Sequence, residues 1–214
     1  MKYLVTAALA VTVLFSTVNA QEEKSAITLK NEAVDALKVK DYKKALATYE
    51  QVMEITKDAP EGVVYYNAAT CARTLENYDK AIEYYKQSES LSYRPDQSAF
   101  YVGYALNKLD KDAEMEVYMT SIMEKYAAST ILDKMKALVI TYYLKEGSKP
   151  YNEAADMLKA AKPADQKELD ELNAKVKVKF AEAKPWFEKA AKYAAADDER
   201  IVKPMAEINS RLAE

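Results

Sequence analysis

Asp41-Tyr42-Lys43-Lys44-Ala45-Leu46-Ala47-Thr48-Tyr49 returns 36 residues later as Asn77-Tyr78-Asp79-Lys80-Ala81-Ile82-Glu83-Tyr84-Tyr85. A repeat of that length, with helical spacing on both sides, predicts a stack of helix pairs, each completed by its neighbour, in place of one globular core. Upstream, Leu29, Ala33, Ala36 and Leu37 form one helical stripe, and Ala45, Tyr49, Val52 and Met53 form the inner face of its partner. The next pair shows Tyr65, Ala69 and Ala72, then Ala81, Tyr85 and Ser88; a third runs from Ala99, Gly103 and Leu106 to Met115, Met119 and Ile122. Small residues at Ala33, Ala69 and Gly103 let two backbones cross closely, while Tyr49 and Tyr85 fill the wedge where helices diverge.

Composition supports an all-α chain. Only three glycines and six prolines interrupt 214 residues that are 50% hydrophobic, and no sustained alternation or Asn-Gly turn signals a strand. Pro60 and Pro95 punctuate the pairs, giving repeats over about 25–58, 62–95 and 96–129 within a repeat region of 21–129. Further on, the stripe Leu132, Met135, Val139, Tyr143 keeps its phase through Gly147 to Tyr151, Ala154 and Leu158. It predicts one long helix kinked near Gly147–Pro150, with two helices and a turn as the alternative. A second stripe runs from Leu169 to Ala190 through Pro185, so 130–197 is expected to be an elongated antiparallel hairpin. Ile201, Met205, Ile208 and Leu212 predict a capping helix over 198–214.

Residues 1–20 read separately. Lys2, the apolar run Leu4 to Phe15 and the ending Val18-Asn19-Ala20 predict a secretory signal peptide cleaved after Ala20, an uncleaved anchor being the alternative. Cys71 is the single cysteine, so packing must supply stability in place of disulfides, and its alanine neighbours predict a small buried hydrophobe.

The chemistry available is narrow. The chain has no histidine, which removes the commonest general base and metal ligand; one cysteine cannot build a zinc site, and no glycine-rich phosphate loop exists. No cofactor and no metal are expected. A net charge of −3 argues against nucleic acid. The acid-rich stretches, Gln21-Glu22-Glu23, Glu168 to Glu171 and Asp197-Asp198-Glu199, read as a terminal tail and two helix starts. A carboxylate-dependent, glycan-processing enzyme is the alternative of a different class. Lys175, Lys177 and Lys179 read as a solvated face, with contact to anionic lipid or glycan as the other reading.

Ala33, Tyr42, Ala45, Tyr49 and then Ala69, Tyr78, Ala81, Tyr85 are the positions at which the chain resembles the tetratricopeptide repeat family, over roughly Ile27 to Tyr126. The third unit departs from the pattern, with Asp112 and Met115 where Tyr and Ala are expected. Ala183-Lys184-Pro185-Trp186-Phe187-Glu188-Lys189-Ala190 is similar to the closing unit of exported tetratricopeptide proteins of Bacteroidota-type bacteria. The resemblance implies a TPR-like α-solenoid that binds a protein or peptide on its concave face, working as a non-catalytic periplasmic scaffold. An envelope-assembly or outer-membrane-docking factor is the alternative within binding. In the family the first helix of each unit lines the groove. Carried over, this implies Lys30 and Val34, then Tyr66, Thr70 and Arg73, then Phe100, Tyr104 and Asn107, with Tyr66, Phe100 and Tyr104 as an aromatic patch. The family's carboxylate clamp is matched only at Lys30 and Asn67. Val34, Gln97 and Tyr101 stand at its other places and lack the donors it needs.

Overall fold

The structure, a computed structural model, describes residues 25–213; the expected leader lies outside the described residues. These residues form α1 (25–38), α2 (Tyr42–Ile55), α3 (Gly62–Thr74), α4 (Tyr78–Ser90), α5 (Pro95–Lys108), α6 (Asp112–Lys125), α7 (Leu132–Ala160), α8 (Gln166–Ala191) and α9 (Glu199–Ala213), with no strand among them. They fall into two compact units that part between Met115 and Glu116.

In the first unit, successive helices pack as neighbours: α2 on α3, α3 on α4, α4 on α5. The repeated residues take repeated places. Ala33 and Ala69, Ala45 and Ala81, and Tyr49 and Tyr85 are all fully or almost fully buried. Asp41 and Asn77 open α2 and α4 in the same way, each side chain accepting the backbone N–H three residues on, from Lys44 at 3.1 Å and Lys80 at 3.3 Å.

One turn serves every hairpin of this unit. Asp41 N donates to Ala36 O, Asn77 N to Ala72 O and Lys111 N to Leu106 O, at 2.9, 2.9 and 3.0 Å, and the residue before each donor is left-handed: Lys40, Glu76 and Asp110, with φ of 60°, 60° and 55°. This six-to-one closure satisfies carbonyls at the helix end and ordinarily takes glycine. The chain uses Lys, Glu and Asp instead, and an L-residue in that region costs about 1 kcal/mol. Glu76→Gly is therefore expected to raise unfolding free energy by about 0.5–1 kcal/mol. An unchanged or lower urea midpoint would contradict this account of the turn.

The second unit is dominated by α7 and α8, of 29 and 26 residues, packed antiparallel with α9 against α8. α7 is a single helix passing through Gly147 and Pro150, and α8 continues through Pro185. Gly147 marks a close approach of α7 to α8: a Cβ there would stand 2.9 Å from Trp186 Cβ and 3.2 Å from the Phe187 ring. Below it, Ala154, Val176, Phe180, Ala183, Phe187 and Ile208 form the buried core, so α9 contributes Ile208 to the interior that the long hairpin shares. Lys189 lies between the Trp186 and Tyr143 rings, 4.8 and 5.4 Å from their centroids, and bonds Glu116 at 2.8 Å; the Tyr143 hydroxyl donates to the same carboxylate oxygen at 2.9 Å.

Acidic stretches are used at helix starts. Asp165 accepts the Glu168 N–H at 2.8 Å while Glu168 reaches back to the Ala164 N–H at 2.8 Å, a reciprocal cap on α8. Asp198 is held by the Arg200 guanidinium at 2.6 and 2.9 Å, which keeps its carboxyl below the usual carboxylate range.

Candidate binding face

Tyr66, Thr70 and Arg73 recur at i, i+4, i+7 and therefore share one stripe of α3. On α5 the matching stripe is Gln97, Tyr101, Tyr104 and Lys108. Tyr85 of α4, fully buried, joins the two. Its ring packs edge-on to Tyr66 with centroids 5.6 Å apart and stacks on Tyr101 at 5.1 Å with 23° between planes. Tyr66 also donates its hydroxyl proton to Gln97 Oε1 at 3.1 Å.

The hydroxyl protons follow one direction. Thr70 donates its only hydroxyl proton to the Tyr66 carbonyl at 2.9 Å, so at its 3.1 Å contact with Tyr85 it accepts; Tyr85 in turn accepts from Arg73 Nε at 3.3 Å. The chain Arg73 to Tyr85 to Thr70 to the Tyr66 carbonyl fixes all three side chains of the α3 stripe. Burial pushes the Tyr85 phenol up to about 12, the bond from Arg73 working against that rise. Burial likewise raises Tyr66, opposed by Arg94.

Two guanidiniums lie on the rings. Arg73 sits 4.6 Å from the Tyr101 centroid; Arg94 sits 5.3 Å from Tyr66 and 5.8 Å from Tyr93. Arg94 is left-handed, φ 45° and ψ 53°, directly before Pro95, where a following proline already narrows the backbone. This strained residue costs about 1–2 kcal/mol and is where α5 begins. Gly62, the first residue of α3, permits the approach of Tyr93: a Cβ on it would meet Tyr93 Cβ at 2.5 Å. Tyr93 then packs on Tyr66 with centroids 5.6 Å apart.

Tyr66, Thr70 and Arg73 thus come together on one stripe of α3, linked through Tyr85. On α5, Tyr101 in place of Phe100 joins the cluster, because the stripe facing Tyr85 runs through 97, 101 and 104; Phe100 lies beside it, tilted against Tyr101 at 5.3 Å. Tyr104 carries Lys108 over its ring at 5.6 Å. Asn107 donates to Asp112 at 2.8 Å, bracing the α5–α6 turn. On α1, Lys30 pairs with Glu61 at 2.8 Å, and Val34 is partly exposed. Tyr93, Arg94, Gln97 and Tyr101 are the members that reading the groove from family geometry omits. The one local signal near them is Arg94-Pro95, which marks where α5 starts.

Cys71 lies on the buried side of α3, and burial pushes its thiol up to about 11. Elsewhere Lys179 is held by Glu153 at 2.8 Å and Glu182 at 3.0 Å. Among the described residues no helix is long and apolar enough to cross a membrane.

Residues 24–93 match the family described as Tetratricopeptide repeat. Among solved structures, the chain is similar to a TPR repeats protein from Bacteroides fragilis, at 21% identity over 86% of this chain and 98% of that one, with a TM-score of 0.54. A structure from Bacteroides ovatus shares 10% identity over 87% of this chain and 98% of its own, with a TM-score of 0.50. No curated protein matches the sequence significantly. The chain therefore carries tetratricopeptide repeats over residues 24–93 and has the all-helical fold of tetratricopeptide-repeat proteins.

Proposed function

We propose that this protein is a non-catalytic scaffold of the bacterial cell envelope, exported by its leader, which binds a protein or peptide through the face shared by α3 and α5. The observation that carries this reading is the linked cluster of Tyr66, Tyr85, Tyr101, Arg73 and Arg94, drawn from consecutive repeat helices and held rigid by its own bonds. Rigid aromatics with arginine are the side chains that concentrate binding energy at protein interfaces. Two observations weigh against the other readings. At the starts of α8 and α9, Glu168 is used in a cap and Asp198 is paired with Arg200, and Lys179 of the basic stripe is paired with two glutamates.

Tyr66→Ala with Tyr101→Ala is the direct test. Removing two anchors of about 1.5–2 kcal/mol each should weaken capture of an envelope partner by several hundredfold while helicity stays near the parent's. Cross-linked pull-down from envelope fractions, with circular dichroism alongside, reads both. Equal capture by the double variant, or a mature chain found only in the cytoplasm and still carrying residues 1–20, would refute the proposal.

A further inference from the structure

The binding face has a chemical preference written into it. Arg73 and Arg94 stand on its rings, and neither has a carboxylate partner among the described residues. The contrast with the rest of the protein is direct: Arg200 is paired with Asp198, and Lys30, at the α1 side of the groove, with Glu61. Arg73 gives Nε to Tyr85, while Arg94 gives Nη1 to Gln97 in a long 3.4 Å contact and also acts on the Tyr66 and Tyr93 phenols. Each guanidinium carries five N–H donors, more than these contacts use, and lies near an aromatic ring. A guanidinium with donors to spare accepts a carboxylate through two parallel bonds. The two guanidiniums lie nearest different rings, Tyr101 and Tyr66, and each can take a carboxylate of its own. The face is also cationic in a chain of net charge −3, and the backbone strain at Arg94 is spent where its guanidinium meets the cluster.

We infer that the ligand of this face is an acidic peptide segment, whose Asp or Glu side chains are bound by Arg94 and Arg73 and whose aromatic or aliphatic residue packs beside Tyr66 and Tyr101. This rests on the proposed reading of the face as a binding surface and adds the chemistry of what it binds. Charge complementarity selects the partner, and the ring cluster supplies the apolar seat.

The test is selection of random dodecamer peptides on the full chain by display, followed by affinity measurement on the synthesised winners. Enriched peptides should carry Asp or Glu beside Phe, Tyr or Leu. Arg94→Gln and Arg73→Gln should each weaken them about tenfold, and raising NaCl from about 50 to 500 mM should weaken them at least as much. Arg94 is exposed, so its variant keeps the fold if Arg73→Gln does not. Winners that are neutral or basic, or that bind both glutamine variants within about twofold of the parent, overturn the acidic preference. If such winners are still lost in Tyr66→Ala/Tyr101→Ala, the face remains a binding surface and only its chemistry is wrong. If winners survive that double variant too, or no peptide is enriched over bare support, both the inference and the reading beneath it fall.

Discussion

Tyr85→Ala is expected to lower unfolding free energy by about 3–5 kcal/mol, enough to consume much of the margin of a small domain. The ring is fully buried between α3, α4 and α5, so truncation leaves a cavity that the fixed helix backbones close only in part. It removes the stack on Tyr101 and the edge contact with Tyr66 together. It also strips Arg73 Nε of its acceptor and leaves the Thr70 hydroxyl without its donor. Tyr85→Phe separates the two contributions. It keeps the ring and loses only the hydroxyl, at about 1–2 kcal/mol. Urea unfolding of both variants reads the difference directly. A loss under about 1 kcal/mol for Tyr85→Ala would mean that the wedge position does not hold the repeats together.

Gly147→Val is expected to cost about 3 kcal/mol in the second unit. The first added carbon would already stand 2.9 Å from Trp186 Cβ, an atom fixed to its helix backbone, and 3.2 Å from the Phe187 ring. No rotamer change moves Trp186 Cβ away, so the new side chain must push α7 and α8 apart along their contact. Gly147→Ala supplies the comparison. There the clash opposes a gain in helix propensity of about 1 kcal/mol, so the net change should be a modest loss. Thermal unfolding followed by circular dichroism ranks parent, alanine and valine variants. If the alanine variant proves more stable by the full propensity gain, the close crossing is not where the hairpin is set.

These two residues also show what could be read in advance. Tyr85 was legible because its burial follows from a repeated pattern: Tyr49 precedes it by one period and occupies the same interior position. The long α7 was legible because its apolar stripe holds phase through Gly147 and Pro150, and phase survives a missing N–H where composition alone suggests a break. The turns were not legible from their own residues. None of the chain's three glycines stands at Lys40, Glu76 or Asp110, so the usual mark of a left-handed helix end is absent. The α5 ring that stacks on Tyr85 was hidden for another reason: Phe100 and Tyr101 differ by one residue, 100° on a helix, and both are half-buried. The Lys189–Glu116 pair, 73 residues apart in sequence, leaves no local trace at all.

Cys71 and Trp186 are each the sole residue of their kind, and they fall on opposite sides of the division at Met115 and Glu116. The wild-type chain therefore comes with two native reporters. Thiol labelling tracks exposure of the first unit, because a shielded group with its acidity suppressed reacts only once α3 opens. Indole emission tracks the second, because the fluorophore sits at the Gly147 crossing among tyrosines. Whether the two units melt as one cooperative block or in sequence can be read without adding a single dye site.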